Sequence, residues 1–336
     1  MNTLYLLEND ENSIQTAAEI LKNGGLVAIP TETVYGLAAN ALDGEAVRKI
    51  FIAKGRPQDN PLIVHISNMD MLNDIAKDIP GIALKCAEKF WPGPFTMVLP
   101  KTDKIGDCIS PNLNTVAVRM PENKVALEII NASGLPLAAP SANTSGSPSP
   151  TSASHVEADL DGKIDAIVYS SECKVGVEST VVTFCENPPR LLRPGGITAE
   201  QLREITDIAV DKAVLAEPEK GKQVASPGMK YKHYAPKTES FLVEGSSEKF
   251  VSFVNSKTNA AAICFKEDVE KINIPTLCYG EEADETTLAH SVFSALREVD
   301  KMGASEVYIH APSKSGIGLA VYNRLLRACG FKVINL

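Results

Sequence analysis

The 336-residue chain lacks any run approaching the roughly 20 apolar residues that cross a bilayer. Its first residues, "MNTLYLLENDENS", have no basic stretch followed by an apolar core, so no signal peptide and no membrane association are expected, and the location is expected to be cytoplasmic. Paired cysteines are missing too. The seven present (Cys86, Cys108, Cys173, Cys185, Cys264, Cys278 and Cys329) are scattered without a CxxC. An odd count of isolated cysteines fits reduced thiols in cytosol better than a disulfide framework or a zinc site. A surplus of positive charge is also absent, the formal net charge being -9. That argues against a broad nucleic-acid surface, which needs phosphate neutralisation over a wide area. A small anionic ligand needs only a local patch.

The common catalytic signatures are equally scarce. No GxxxxGK[ST], GxSxG or HExxH occurs, no His/Cys pair has ligand spacing, and none of the five histidines stands in a nucleophile context. No protein-held metal is therefore expected. "SGIGLA" near the C-terminus is a fragment of GxGxxG that reads as a Gly-rich start to a helix after a strand. Phosphate would have to be bound by some other arrangement.

What is present is the composition of a soluble globular protein, 44% hydrophobic and 22% charged, in a chain longer than one core usually supports. Two domains are expected: a first over residues 1–205, a linker over 206–238, and a smaller α/β domain over 239–336. In the first, Ser13 is expected to cap a helix with Ile14, Ala17, Ala18 and Leu21 on its apolar face, and Asp43 a second helix that closes at Gly55. "LVAIP", "PLIVHI", "FTMVLP", "TVAVRM", "LPLAAP", "DAIVYS" and "STVVTF" read as strands. The strand and helix rhythm by itself suggests an α+β or twisted mixed sheet. After residue 239, "SFLVE", "AAICF", "IPTLCYG", "SEVYIHA" and "FKVINL" alternate with helices as in a parallel α/β domain. The linker is odd for an acidic chain: from Lys220 to Pro236 it carries four lysines, a histidine, two tyrosines and no carboxylate.

Polar groups stand at strand ends. "KGRPQDNP" places Lys54 and Arg56 just past a helix C-terminus, where both could serve the helix dipole, although the Gly-Arg-Pro turn would also fix the guanidinium for a bidentate phosphate contact. His65 ends the next strand. "TVAVRMP" embeds Arg119 in an apolar strand, and such an arginine needs an internal carboxylate or a bound anion. "LAAPSANTSGSPSPTS" ends a strand in hydroxyls and Asn143, either a plain loop or a cradle for phosphate. "GVESTVV" offers Ser179 and Thr180, and "LLRPG" offers Arg193. Together they form an inventory for a polyphosphate and a small polar molecule, with no covalent nucleophile.

At "IPTETVYGLAANA", "AKGRPQDNPLIVHI", "WPGPFTMVLP", "TVAVRMP", "APSANTSGSPSPT", "GVESTVV" and "LLRPG" the chain closely resembles the YrdC family, and "SPGMKYKHYAP" with the α/β tail resembles its two-domain form. The resemblance implies an α/β fold with a twisted, mainly parallel sheet around a central basic cavity, plus a smaller Rossmann-like C-terminal domain. It implies a nucleotidyltransferase that makes threonylcarbamoyl-AMP and pyrophosphate from L-threonine, bicarbonate and ATP with Mg²⁺. A downstream tRNA threonylcarbamoyl transferase complex would use the product beside the anticodon. Carried over by motif, Thr33, His65, Arg119, Ala139 and Ser179 would hold threonine. Arg56, Asn60, Thr115, Ser141, Asn143, Ser149, Arg193 and Tyr234 would hold ATP, and Lys54 and Arg56 would be catalytic. The basic linker, with Tyr234 and His233 or Lys230, would close over the site and exclude water from a labile anhydride. Two rivals remain at this stage. One is an RNA-binding module, which the charge disfavours. The other is a carbamoyl-adenylate enzyme like the hydrogenase-maturation carbamoyltransferases, whose zinc-finger CxxC pairs are missing here.

Overall fold

A computed structural model describes residues 2–217 and 234–336; Lys230 and His233 lie outside the described residues. The chain opens with β1 (Leu4–Leu7), α1 (Glu11–Lys22), β2 (Val27–Ile29), β3 (Gly36–Asn40), α2 (Gly44–Lys54) and β4 (Ile63–His65). It continues through α3 (Met69–Ile75), α4 (Gly81–Phe90), β5 (Phe95–Pro100), β6 (Thr115–Arg119), α5 (Lys124–Ser133) and β7 (Leu137–Ala138). Then follow α6 (Ala153–Leu160), β8 (Ala166–Tyr169), β9 (Thr180–Thr183), β10 (Arg190–Arg193), α7 (Ala199–Arg203) and β11 (Ala209–Val210). The C-terminal part holds β12 (Glu239–Glu244), α8 (Ser247–Asn255), β13 (Ala260–Cys264), β14 (Thr276–Cys278), α9 (Glu285–Glu298), β15 (Glu306–His310), α10 (Gly318–Ala328) and β16 (Val333–Asn335).

Among the described residues, eleven strands form one sheet in the order β1-β8-β2-β3-β7-β4-β6-β5-β9-β10-β11. Pairs β1·β8, β8·β2, β4·β6, β5·β9 and β10·β11 are parallel. Pairs β2·β3, β3·β7, β7·β4, β6·β5 and β9·β10 are antiparallel. The sheet is thus mixed rather than mainly parallel. The reason is local: no helix separates β2 from β3, β5 from β6, or β9 from β10, and consecutive strands without a crossover pair antiparallel. "TETVYG" is the first of these reversals. The last strand of the sheet, β11, falls inside the stretch read as linker and pairs with β10.

Local sequence explains the helices that frame the site. Asp43 accepts hydrogen bonds from the Glu45 and Ala46 amides at the start of α2, and Gly55 ends it at φ +59°, where a side chain would be strained. Helix α1 is capped by Asp10, whose carboxylate accepts from the Asn12 amide; Ser13 lies inside the first turn and not at the cap. The larger core, with Leu37, Ile50, Phe95 and Val118, fills one side of the large sheet, while Ala17, Leu21, Ile129 and Ile130 pack beneath α1 and α5.

The C-terminal sheet runs β14-β13-β15-β12-β16 with every pairing parallel. In chain order this is third-second-fourth-first-fifth, which differs from the 3-2-1-4-5 start of the Rossmann order by exchange of the first and fourth strands. Helix α10 does begin at Gly318, in "SGIGLA", directly after β15. Helices α9 and α10 cover one face with a core that also takes in Val34, Val177 and Tyr234 from outside that sheet.

Candidate active site

The register gathers strand ends. His65 lies opposite Arg119 at the ends of parallel β4 and β6, and Arg119 lies opposite Thr96 near the start of β5. β5 is in turn paired with the start of β9, where Phe95 faces Thr180. Because residues two apart on a strand face the same side, Ile63 and His65 both look into the cavity that opens there. Its lining takes in Thr33, Lys54, Arg56, His65, Arg119, Ala139, Ser141, Asn143, Ser179, Arg193 and Tyr234, and among the described residues Glu178 is its one carboxylate. The four cations expected from three separate motifs therefore share one cavity. A larger hollow, about 1090 Å³, lies between α1 and α2, but its walls are mostly apolar and it shares only Lys54 with this chemistry.

Each cation is held in a specific way. Lys54 is 1% exposed. Its Nζ donates to the Ser141 and Asn143 carbonyls across the cavity rather than to the end of its own helix. Burial, and then the Arg56 charge, push its pKa well below the ordinary lysine value. Arg56 donates from Nη2 to the Pro61 carbonyl at 3.3 Å. Arg193 donates from Nε and Nη2 to the Ser179 carbonyl at 3.1 and 2.9 Å, and from Nη2 to Ser179 Oγ at 3.2 Å. Burial, and then Arg324, bring its pKa down to about 10. Ser179 Oγ also shares a hydrogen bond with Thr96 Oγ1 at 2.7 Å.

Arg119 meets the internal carboxylate that its buried position demanded. Its Nη2 bonds Glu32, its Nη1 donates to Thr33 Oγ1 at 2.8 Å, and its Nε donates to the Gly93 carbonyl at 3.2 Å. The second Glu32 oxygen accepts from the Glu122 amide at 3.1 Å. Beside it, His65 is fully buried and its pKa falls to about 3, through burial first and the Arg119 charge second. His65 Nδ1 has no hydrogen-bond partner among the described residues.

Three expected residues do not line the cavity. Ser149 is buried behind it and donates from Oγ to Glu178 Oε1 at 2.6 Å. Asn60 is 1% exposed, and neither of its side-chain polar atoms finds a partner among the described residues. Thr115 sits at the far end of β6 from Arg119, about 13 Å away along the strand. Between them the concave face carries a small apolar cluster of Ile63, Val98, Ala117, Val181 and Leu192. Asn143 shapes its own loop, donating from Nδ2 to the carbonyls of Thr144 and Ser147 at 2.8 and 2.9 Å.

Sequence reasoning missed Glu32, Thr96 and Glu178. Glu32 was legible in principle, because Arg119 required a buried counter-charge and "TETVYG" holds a carboxylate. Glu178 stands in "GVESTVV", which pointed only to its hydroxyl neighbours. Its pKa is held at about 2: burial opposes ionisation, but the charges of Arg324 and Arg193 and the hydrogen bond from Ser149 outweigh it.

Comparison with known proteins agrees with this geometry. The family profile described as "Telomere recombination" (Sua5_yciO_yrdC) matches residues 19–195, and that described as "Threonylcarbamoyl-AMP synthase, C-terminal domain" matches residues 197–330. The chain is 45% identical over 340 residues to a protein of Pyrococcus abyssi named threonylcarbamoyl-AMP synthase, covering 97% of each. It is 43% identical to the protein of that name from Bacillus subtilis, covering 98% of this chain and 96% of that one. The crystal structure of P. abyssi Sua5 complexed with L-threonine superposes with a TM-score of 0.90 at 42% identity, covering 100% of both chains. The chain belongs to the Sua5/YrdC family, in the two-domain form shared with threonylcarbamoyl-AMP synthases.

Proposed function

We propose that the chain joins L-threonine, bicarbonate and ATP into threonylcarbamoyl-AMP and pyrophosphate, and that a separate tRNA-modifying transferase complex consumes the product for an adenosine beside the anticodon. The observation that carries this reading is the convergence of Lys54, Arg56, Arg119 and Arg193 on one cavity in a chain of net charge -9. We read that cavity as a local cationic basin for a triphosphate and an amino-acid carboxylate.

The chemistry asks for positioning and charge stabilisation more than for a nucleophile on the protein. Threonine's amine and bicarbonate give a carbamate and water; the carbamate oxygen attacks the α-phosphorus as the bond to pyrophosphate breaks. An arginine has five N–H donors, and the three contacts of Arg119 leave two for the threonine carboxylate. Thr33, His65, the Ala139 backbone and Ser179 would take the remaining polar groups of threonine. Lys54 and Arg56 would face the phosphates, joined by Ser141, Asn143 and Arg193. The apolar strip from Ile63 to Leu192 would receive the adenine, with Thr115 at its rim and the unpartnered amide of Asn60 nearby. Mg²⁺ would enter on phosphate oxygens. Glu178, the carboxylate of the lining, is already taken by Ser149 and Arg324, which suits an ion borne by the nucleotide better than a protein cage. Such an ion neutralises charge on the departing pyrophosphate.

The room left in the cavity is only about 60 Å³, against the several hundred usual for ligand pockets, and we read Tyr234, which forms part of its wall, as the group that would yield to the ligands. Tyr234 packs on Phe293 with ring centroids 5.1 Å apart, and its return over bound ATP would exclude water from the mixed anhydride.

The reading is tested by mass spectrometry after incubation with ATP, bicarbonate, Mg²⁺ and either threonine or serine, with no RNA. Threonylcarbamoyl-AMP and equimolar pyrophosphate are expected with threonine. Pyrophosphate release that requires added tRNA, or no adenylate at all, would overturn the reading. A second expectation concerns His65. Its folded-state pKa of about 3 lies far below the ordinary 6.5, so its imidazole is uncharged throughout the working range. By the same shift the unfolded chain takes up a proton that the folded one refuses, and this site lowers stability as pH falls from about 6.5 toward 3. His65→Gln should lower kcat/KM for threonine about 10- to 100-fold without altering the shape of its pH profile between 5.5 and 8, since one buried hydrogen bond is worth about 1–3 kcal/mol. An inflection near pH 6.5 that disappears in His65→Gln would refute the neutral role.

A further inference from the structure

The C-terminal domain reaches the site through contacts that none of the binding roles above uses. Arg324, on α10, has no exposed surface. Its Nε donates to Glu178 Oε2 at 2.6 Å and its Nη1 to Asn323 Oδ1 at 2.9 Å. Its Nη2 has no hydrogen-bond partner among the described residues. The other oxygen of Glu178 accepts from Ser149 Oγ at 2.6 Å. A continuous chain of contacts therefore runs from α10 through Glu178 to the hydroxyl loop on the nucleotide side.

Three further contacts show that this is a wall rather than one stray bond. Arg297 of α9 donates to the Pro148 carbonyl, one residue before Ser149, and to Asp159 Oδ2 at 2.8 Å. Val34 and Val177, from the loops that carry Thr33 and Glu178, are buried in the core of α9 and α10. At Gly176, φ is +79°, and a Cβ there would lie 2.4 Å from the Ala289 carbonyl of α9, so the "VGVEST" loop and α9 touch backbone to backbone.

We propose that the C-terminal domain forms the outer wall of the nucleotide half of the site, with Arg324 as the positioning residue that fixes Glu178 and, through it, Ser149. The inference rests on the ATP-dependent reaction argued above. A buried carboxylate has two oxygens to satisfy, and Arg324 settles the orientation of both by claiming one. Without it, Glu178 turns toward Arg193, which also lowers its pKa, and releases Ser149. In the threonine half Arg119 and Thr33 are held by Glu32 and each other, and Ser179 Oγ by Thr96 and Arg193, none of them hydrogen-bonded to Arg324, so the larger effect falls on ATP.

The test compares Arg324→Met, which keeps an apolar stem, Arg324→Lys, Ser149→Ala and the Glu178→Gln/Arg324→Met double variant with the wild-type full chain. Calorimetry with Mg·ATP gives Kd, and adenylate formation gives the KM for ATP and for threonine. Arg324→Met should raise the Kd and KM for ATP at least tenfold and leave the KM for threonine within twofold, with Arg324→Lys recovering part of the loss. The double variant should match Ser149→Ala for ATP, because both lose the same ordered hydroxyl. It also removes both members of the buried Arg324–Glu178 pair, so that neither is left stranded by loss of the other, and so carries the comparison if Arg324→Met does not fold. Unchanged ATP binding in Arg324→Met, an equal rise in both KM values, or a double variant indistinguishable from wild type would overturn the proposal. A wild type that binds ATP but makes no adenylate would count against the reaction alone, since Kd still reports on Arg324.

Discussion

Arg119→Ala is expected to lower kcat/KM for threonine on the order of a thousandfold, and to destabilise the ligand-free protein as well. The two effects have different origins. The catalytic loss comes from removing a buried guanidinium whose remaining donors would clamp the substrate carboxylate, a charge-assisted contact worth about 2–5 kcal/mol in a dry site. The stability loss comes from Glu32, which is 4% exposed and would be left as an unpaired buried carboxylate. Breaking one side of a buried pair costs about 3–5 kcal/mol, or a fall in melting temperature on the order of 10 °C for a domain of this size. The two are separable. Adding Glu32→Gln to Arg119→Ala removes the stranded charge and should return most of the lost stability in thermal melts, while threonine turnover stays at the low level. An Arg119→Ala enzyme within tenfold of wild-type kcat/KM would mean that threonine is held elsewhere. A double variant no more stable than the single one would mean that Glu32 does not carry the penalty.

This pair also shows what the sequence could convey. "TVAVRMP" announced that Arg119 needed a partner, because a charge inside an apolar strand is costly unless compensated. It could not announce which partner, because Glu32 lies 87 residues away and is brought near only by folding. The same limit applies to Glu178 and Arg324, 146 residues apart. Strands were legible where β-branched residues alternate or run together, as in "PLIVHI" and "STVVTF". β3, "GLAAN", was not, because small residues without β-branching carry little strand signal. Missing that strand concealed the first antiparallel reversal, although the rhythm of strands and helices already suggested a twisted mixed sheet and only the resemblance implied a mainly parallel one. Strand-end chemistry was the most legible part of the site: eleven of the fourteen positions carried over by motif line one cavity. Asn60, Ser149 and Thr115 stand behind it or along the strand, where a short motif says nothing about depth.

Lys54→Met is expected to cost about a thousandfold in kcat/KM for ATP, because it removes a preorganised cation that meets charge developing on the phosphates. The same change should alter how the ligand-free protein responds to pH. Folding holds the Lys54 ammonium away from water and beside Arg56, so the folded chain releases that proton well below the ordinary 10.5, whereas the unfolded chain keeps it. Between the two values the unfolded state binds more protons, so wild-type stability rises with pH across that window on account of this site. Methionine has nothing to titrate, and urea melts of Lys54→Met from pH 7 to 9 should show a shallower slope than those of the wild type. The sign matters for function. A site that holds its cations at a cost when empty recovers that cost when a polyanion arrives, so ATP binding and proton uptake by Lys54 are coupled. Calorimetry in buffers of different ionisation enthalpy should then show proton uptake in the wild type and less in Lys54→Met. If Lys54→Met turned over ATP within tenfold of wild type with the same pH slope, Lys54 would be only a staple between α2 and the Ser141–Asn143 loop. The phosphate charge would then have to be met by the arginines alone.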